Sequence, residues 1–160
     1  MDLPAELGLV VFDLDFTFWD AGGVWCDCLT RPFSKNNGGV FDAVGRRVKL
    51  YDAVDPTVSL LEDAGVKMAL ASRTDQPAWA RELIGLLDYG DRWDYEEIYP
   101  SSKVRHFNAL KERSGLEFSE MLFFDDEMRN IEEVGELGVR VVHVRNGFSE
   151  SDFRRGLELF

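Results

Sequence analysis

The chain has 160 residues, 45% of them hydrophobic and 12% aromatic, which suits one folded core and excludes a disordered chain. Asp and Glu number 30 against 18 Lys and Arg, and the formal net charge of -12 argues against nucleic acid or anionic lipid as a partner. No apolar run is long enough to span a bilayer. The opening Met1-Asp2-Leu3-Pro4-Ala5-Glu6 carries acid where a secretory signal carries base, so the expected location is the cytoplasm.

Leu7 to Phe12 is a short Val-containing apolar run that reads as a strand buried on both faces. Asp20 to Lys49 holds Gly22, Gly23, Gly38, Gly39 and Pro32 and reads as an irregular insert, with a small hairpin of Val40-Phe41 against Val48-Leu50. Cys26 and Cys28 lie within it. They lack a second ligand pair at zinc-site spacing and are expected to be ordinary reduced thiols. Asp55-Pro56-Thr57 predicts a helix with Asp55 as N-cap, carrying Val58, Leu61 and Ala64 and ending at Gly65. A strand over Val66 to Ala71 follows, then a helix from Gln76 to Leu87 and a short strand over Tyr95 to Tyr99. Next come a helix from Lys103 to Arg113, a strand over Met121 to Phe124 and a helix from Asn130 to Leu137. The last strand is Val139 to Val144, and Asp152 to Leu159 closes the chain as a helix.

Strand and helix alternate with short links. The pattern predicts an α/β fold: a doubly wound three-layer sandwich around a mostly parallel sheet, in a single domain spanning the chain. In such sheets ligands bind outside the carboxyl ends of the strands. Those ends carry Asp13-Leu14-Asp15-Phe16-Thr17, Ser72-Arg73-Thr74, Ser101-Ser102-Lys103, Asp125-Asp126 and Arg145-Asn146-Gly147. Crowded carboxylates cost free energy unless they are paired or metal-bound. Asp13 and Asp126 could share one hard cation, and Mg²⁺ suits two carboxylates plus a substrate phosphate. Asp13 is then a candidate nucleophile toward phosphorus. Asp15, two residues on, could turn back to protonate the leaving oxygen and later activate water. Ser72 and nearby N–H groups could hold phosphate oxygens, and Lys103 would balance the phosphate charge. Trp19 and Trp25 are candidates to cover the site or to join the core, Trp79 and Trp93 for the core. Arg129 and Asn130 are expected to brace the acidic loop.

These motifs resemble the haloacid dehalogenase (HAD) superfamily: Asp13-x-Asp15-x-Thr17 after the first strand, Ser72 after the second, Lys103 at a helix start, then Asp125-Asp126. Within it, the stretches Val11-Phe12-Asp13-Leu14-Asp15, Ala71-Ser72-Arg73-Thr74, Glu97-Ile98-Tyr99-Pro100, Phe123-Phe124-Asp125-Asp126-Glu127 and Arg129-Asn130-Ile131 resemble the magnesium-dependent phosphatase 1 family. The resemblance implies a HAD-like, Rossmannoid fold with no large cap domain, its insert at about 20–49 acting as a small flap. It implies hydrolysis of phosphomonoesters through an aspartyl-phosphate, with Asp13 as nucleophile and Asp15 as acid and base. Mg²⁺ would be held by the Asp13 carboxylate, the Asp15 carbonyl and Asp126. Phosphate would be contacted by the Leu14 N–H, Ser72, Arg73 and Lys103, with Asp125 and Thr17 standing behind the ligands. Phosphotyrosine and sugar phosphates, free or protein-bound, are the implied substrates. The sequence does not fix the oligomeric state, and a monomer is the favoured expectation. Phe16, where the family has Tyr, and Ser101, where it has Gly, depart from the pattern.

Two other readings compete. A phosphoacceptor signalling module of the receiver type uses the same residue types, but with the acid pair first and the Lys late. A phosphomutase shares the chemistry but needs a closing cap against water.

Overall fold

The computed structural model describes residues 2–160. Five strands form a parallel sheet: β1 (Leu9–Phe12), β6 (Lys67–Ser72), β7 (Tyr95–Ile98), β8 (Met121–Asp125) and β9 (Arg140–His143), in the order β7-β6-β1-β8-β9. β1 lies at the centre, pairing Val11 with Ala69 on one side and with Phe123 on the other. Its four residues Leu-Val-Val-Phe are all buried, as a strand covered on both faces demands.

Because side chains alternate along a strand, successive β1 residues feed two different cores. Leu9 and Val11 join Ala69, Ala71, Met121 and Phe123 under α3 (Lys103–Ser114) and α4 (Met128–Gly135). Val10 and Phe12 join Met68, Leu70, Leu122 and Phe124 in the larger core. That core also receives α1 (Val54–Asp63), α2 (Pro77–Leu86) and α5 (Glu150–Leu157) through Val58, Leu83 and Phe153. The result is the expected three-layer sandwich. No helix among the described residues is long and apolar enough to cross a membrane.

The insert differs from the expectation of an irregular loop. It builds a second, antiparallel sheet from β2 (Trp19–Ala21), β3 (Ser34–Asn36), β4 (Gly39–Phe41) and β5 (Arg47–Leu50), ordered β2-β5-β4-β3. The hairpin is present, with Val40 against Val48 and Phe41 against Arg47, while Leu50 pairs with Trp19 instead. Strands of three or four residues are too short to show a period of two. One signal was nonetheless there: Asn37 and Gly38 both take positive φ (50° and 79°) and close β3 onto β4 as a two-residue turn. Trp19, Ala21, Val40 and Val48 are buried in the larger core, so the insert is part of the folded unit.

Helix starts also shift. α1 begins at Val54 with Ala53 at its cap. Asp55 therefore lies inside the first turn, where its carboxylate accepts a hydrogen bond from the Tyr89 hydroxyl. α5 begins at Glu150 because Ser149 forms a capping box with Asp152.

Candidate active site

The carboxyl ends of β1, β6 and β8 and the start of α3 converge on one cavity of about 220 Å³. Its lining includes Asp13, Asp15, Ser72, Arg73, Lys103 and Asp126, six residues expected from the sequence. Trp25, Thr74, Glu127 and Arg129 complete the rim and walls, with Asp27 and Asn130.

Asp13 follows β1 directly, and its N–H donates to the Phe124 carbonyl at 3.0 Å, so the sheet itself sets its position. Ser102 caps α3 by accepting from the Arg105 N–H, which places Lys103 at the first helical position. Lys103 is only 1% exposed. Its ammonium donates to Asp13 Oδ1 and Asp125 Oδ2, both at 3.0 Å, and to the Ala71 carbonyl at 2.6 Å. A buried ammonium has three protons to satisfy, and these three acceptors match them. Burial disfavours the Lys103 charge, yet Asp125 and Asp13 outweigh it and hold its pKa above the ordinary lysine value.

Asp125 is fully buried and does not line the cavity. Its Oδ2 also accepts from Asn130 Nδ2 at 3.0 Å, and its Oδ1 from the Glu127 N–H at 2.8 Å. It therefore stands behind the site and orients Lys103. Thr17 takes the same kind of position, donating to Asp126 Oδ1 at 3.3 Å. Asn130 braces the acidic loop and also accepts from Arg73 at 3.1 Å. Arg129 sits on the rim, with its guanidinium 3.8 Å from Glu127.

Carboxylate oxygens of Asp13, Asp125 and Asp126 lie within 4.8 Å of one another. Burial, then the Asp125 charge, push the Asp13 carboxyl well above the usual carboxylate range, against the pull of Lys103. Burial likewise raises Asp126. Three carboxylates faced by one ammonium leave excess negative charge, and an all-oxygen donor set of this kind fits a hard divalent cation.

Asp15 lies at the cavity with burial raising its pKa. Its Oδ1 accepts from Trp19 Nε1 at 2.7 Å and from the Cys26 N–H at 3.1 Å. No sequence motif connects Trp19 or Cys26 with Asp15. A tight turn does: the Leu14 carbonyl accepts the N–H groups of Thr17, Phe18 and Trp19, and Phe16 takes φ 60°. Trp19 is a core residue, 0% exposed, whereas Trp25 is 55% exposed on the cavity rim.

Phe16 does not face the cavity; it lines a neighbouring hollow with Tyr51, His143 and Arg145, and that hollow also takes the residues after β9. Leu14 turns its side chain into the core. Cys26 is buried in a 3-10 turn, Cys28 is exposed, and both are free thiols.

A model of the Acid Phosphatase family matches residues 5–160. Human Magnesium-dependent phosphatase 1 is 42% identical over 154 residues, covering 95% of this chain and 86% of the relative. A HAD-like hydrolase superfamily protein of Schizosaccharomyces pombe is 36% identical over 143 residues, 81% of each chain. Among solved structures, a haloacid dehalogenase-like family hydrolase of Streptococcus pneumoniae superposes with a TM-score of 0.66 at 12% identity, covering 95% of this chain and 91% of that one.

Proposed function

The chain belongs to the magnesium-dependent phosphatase 1 family of the haloacid dehalogenase superfamily, and from that premise we propose that it is a Mg²⁺-dependent phosphomonoester hydrolase that carries the phosphoryl group on Asp13. One observation carries this reading: Asp13 stands at the cavity, bonded to buried Lys103, with Asp126 beside it and Asp15 two residues on.

The chain's own residues have distinct tasks. An Asp13 carboxylate oxygen attacks phosphorus, and the bond from phosphorus to the ester oxygen breaks. The departing oxygen takes a proton from Asp15 and leaves as the alcohol. Asp15, now a carboxylate, takes a proton from water while the water oxygen attacks phosphorus. The acyl phosphate bond to Asp13 breaks, inorganic phosphate leaves, and Asp15 is again protonated. Burial favours the neutral carboxyl that Asp15 needs at the start. Ser72 and the Leu14 N–H orient phosphate oxygens, Lys103 balances their charge, and Arg73 and Arg129 extend positive charge to the rim. The Asp13 and Asp126 carboxylates with the Asp15 carbonyl would hold Mg²⁺, which when bound supplies the charge that lets a phosphate dianion sit among carboxylates.

The insert contributes exposed Trp25 and Asp27 to the cavity rim, a small cover that suits a phosphate on a bulky group. Phosphotyrosine and sugar phosphates, free or protein-bound, are the substrates we assign to it. The free thiols Cys26 and Cys28 suit a reducing compartment such as the cytoplasm. A phosphoacceptor module would need to preserve its phosphoaspartate, and Asp15 beside Asp13 argues against that.

The test is turnover of an aryl phosphate by purified protein with Mg²⁺ and after EDTA, with the acid-quenched phosphoenzyme reduced by tritiated borohydride, which releases the phosphate and leaves labelled homoserine at the phosphorylated aspartate. Label at Asp13 and turnover only with the metal are expected. Turnover that survives EDTA and metal-free dialysis, or label at any other residue, overturns the reading.

A further inference from the structure

The acid and base of this reaction is held from outside the parallel sheet. Asp15 offers two carboxylate oxygens, and both hydrogen bonds from the insert converge on Oδ1, from Trp19 Nε1 at 2.7 Å and the Cys26 N–H at 3.1 Å. Both donors are anchored by the fold. Trp19 is 0% exposed, pairs with Leu50 across β2 and β5, and its own N–H is bonded to the Leu14 carbonyl at 3.2 Å. Cys26 is buried, and its thiol lies 3.4 Å from the Thr74 hydroxyl on the far wall of the site.

We propose that Trp19 and the Cys26 amide form a two-donor clamp that fixes the Asp15 rotamer and reserves Oδ2 for proton transfer with the leaving group and with water. Trp19 is thus a positioning residue for phosphoryl transfer, and the insert is part of the catalytic apparatus as well as its cover. This rests on Asp15 being the acid and base of the reaction described above. A carboxylate free to rotate about its χ angles would present the wrong oxygen, or none, for much of the time. General acid catalysis contributes about 10²- to 10⁴-fold, and loss of orientation removes a large share of it.

The two donors can be removed separately. Trp19→Phe keeps an aromatic ring in the core and deletes the N–H. Cys26→Pro deletes the amide donor at the first position of the 3-10 turn, where proline fits: the preceding Trp25 has φ -69° and ψ 148°, the conformation favoured before proline. Cys26→Ala, which keeps the amide and removes only the thiol beside Asp15 and Thr74, is its control. The readout is kcat/KM for a nitrophenyl phosphate, whose leaving group departs as a stable anion, against a primary alkyl phosphate, whose leaving group needs a proton.

In Trp19→Phe and in Cys26→Pro, kcat/KM for the nitrophenyl ester should stay within about 3-fold of wild type while that for the alkyl ester falls by about 30-fold or more. Hydrolysis of the aspartyl-phosphate needs Asp15 as base, so kcat for the nitrophenyl ester should fall and a pre-steady-state burst of nitrophenolate should appear. Adding either change to Asp15→Asn should produce no further selectivity. A folded variant that loses both substrates equally, with no burst, overturns the clamp. If Trp19→Phe does not fold, Cys26→Pro decides alone, and normal selectivity there overturns it equally. Wild-type protein inactive on both esters would instead defeat the phosphatase reading on which the clamp rests.

Discussion

Replacing Lys103 by Met tests the electrostatic design of the site most directly. The Lys103 stem lies against Phe123, with its ammonium 5.1 Å from the ring centroid, and Met preserves that apolar packing while deleting the charge. The ammonium is 3.0 Å from an oxygen of each of Asp13 and Asp125. At that distance a unit pair is worth about 5 kcal/mol with an effective dielectric of about 20, before desolvation is subtracted. Burying the ammonium costs several kcal/mol, and breaking a buried pair by removing one partner costs about 3–5 kcal/mol net. Asp13 is already pushed toward protonation by burial and by Asp125, so it can take up a proton and recover part of this. The expected loss is therefore about 3 kcal/mol at neutral pH without Mg²⁺, a Tm lower by about 6–12 °C for a chain of this size. Saturating Mg²⁺ should narrow the gap, because a dication then neutralises the same carboxylates, and should raise Tm more in the variant than in wild type. Turnover should fall by at least about 10³-fold, since the phosphate dianion loses its buried counter-charge. Calorimetry with EDTA and with Mg²⁺ measures both gaps. Equal Tm values without metal, or a smaller Mg²⁺ shift in the variant, would contradict a buried counter-charge at Lys103.

Asp13→Asn should abolish turnover, by about 10³-fold or more, with Tm retained because the amide oxygen can still accept from Lys103 while repulsion with Asp125 is relieved; residual steady activity close to wild type would sink the nucleophile assignment. His106 is fully buried with Nε2 on the Tyr99 carbonyl and Nδ1 unpaired; burial, and then Lys103, lower its pKa to about 4, below the value of about 6.5 for an unfolded chain. The unfolded state thus binds the extra proton, so this contribution is complete above about pH 6.5 and fades on acidification, by about 2 kcal/mol at about pH 5. Denaturant titrations should show that fall in wild type and a smaller one in His106→Gln; identical pH profiles would contradict it. Trp25→Ala should lower kcat/KM for a phosphotyrosine peptide by about 3- to 10-fold relative to an alkyl phosphate, the worth of one aromatic contact, and an unchanged ratio would remove Trp25 from the substrate's path.

The order of chemistry along the chain is legible in the residues alone. Buried strands such as Leu9–Phe12 need uninterrupted apolar runs, and the parallel αβ rhythm then brings their carboxyl ends together. That is why Asp13, Asp15, Ser72, Arg73, Lys103 and Asp126 group together in the sequence, and why they line one cavity. Two kinds of feature were beyond it. The insert's sheet is built from strands of three or four residues, whose pairing depends on partners far along the chain rather than on local period. The division of labour among acids depends on which oxygen meets which donor. Asp125 and Asp126 are adjacent, yet one is sealed against Lys103 and Asn130 while the other faces the cavity, because β8 ends at Asp125, still packed against α3 and α4, and Asp126 lies in the turn that follows. Likewise only packing could bring the indole of a core tryptophan and a backbone amide onto one oxygen of Asp15. Hydrogen-bond geometry is set by three-dimensional approach, and neither composition nor spacing encodes it.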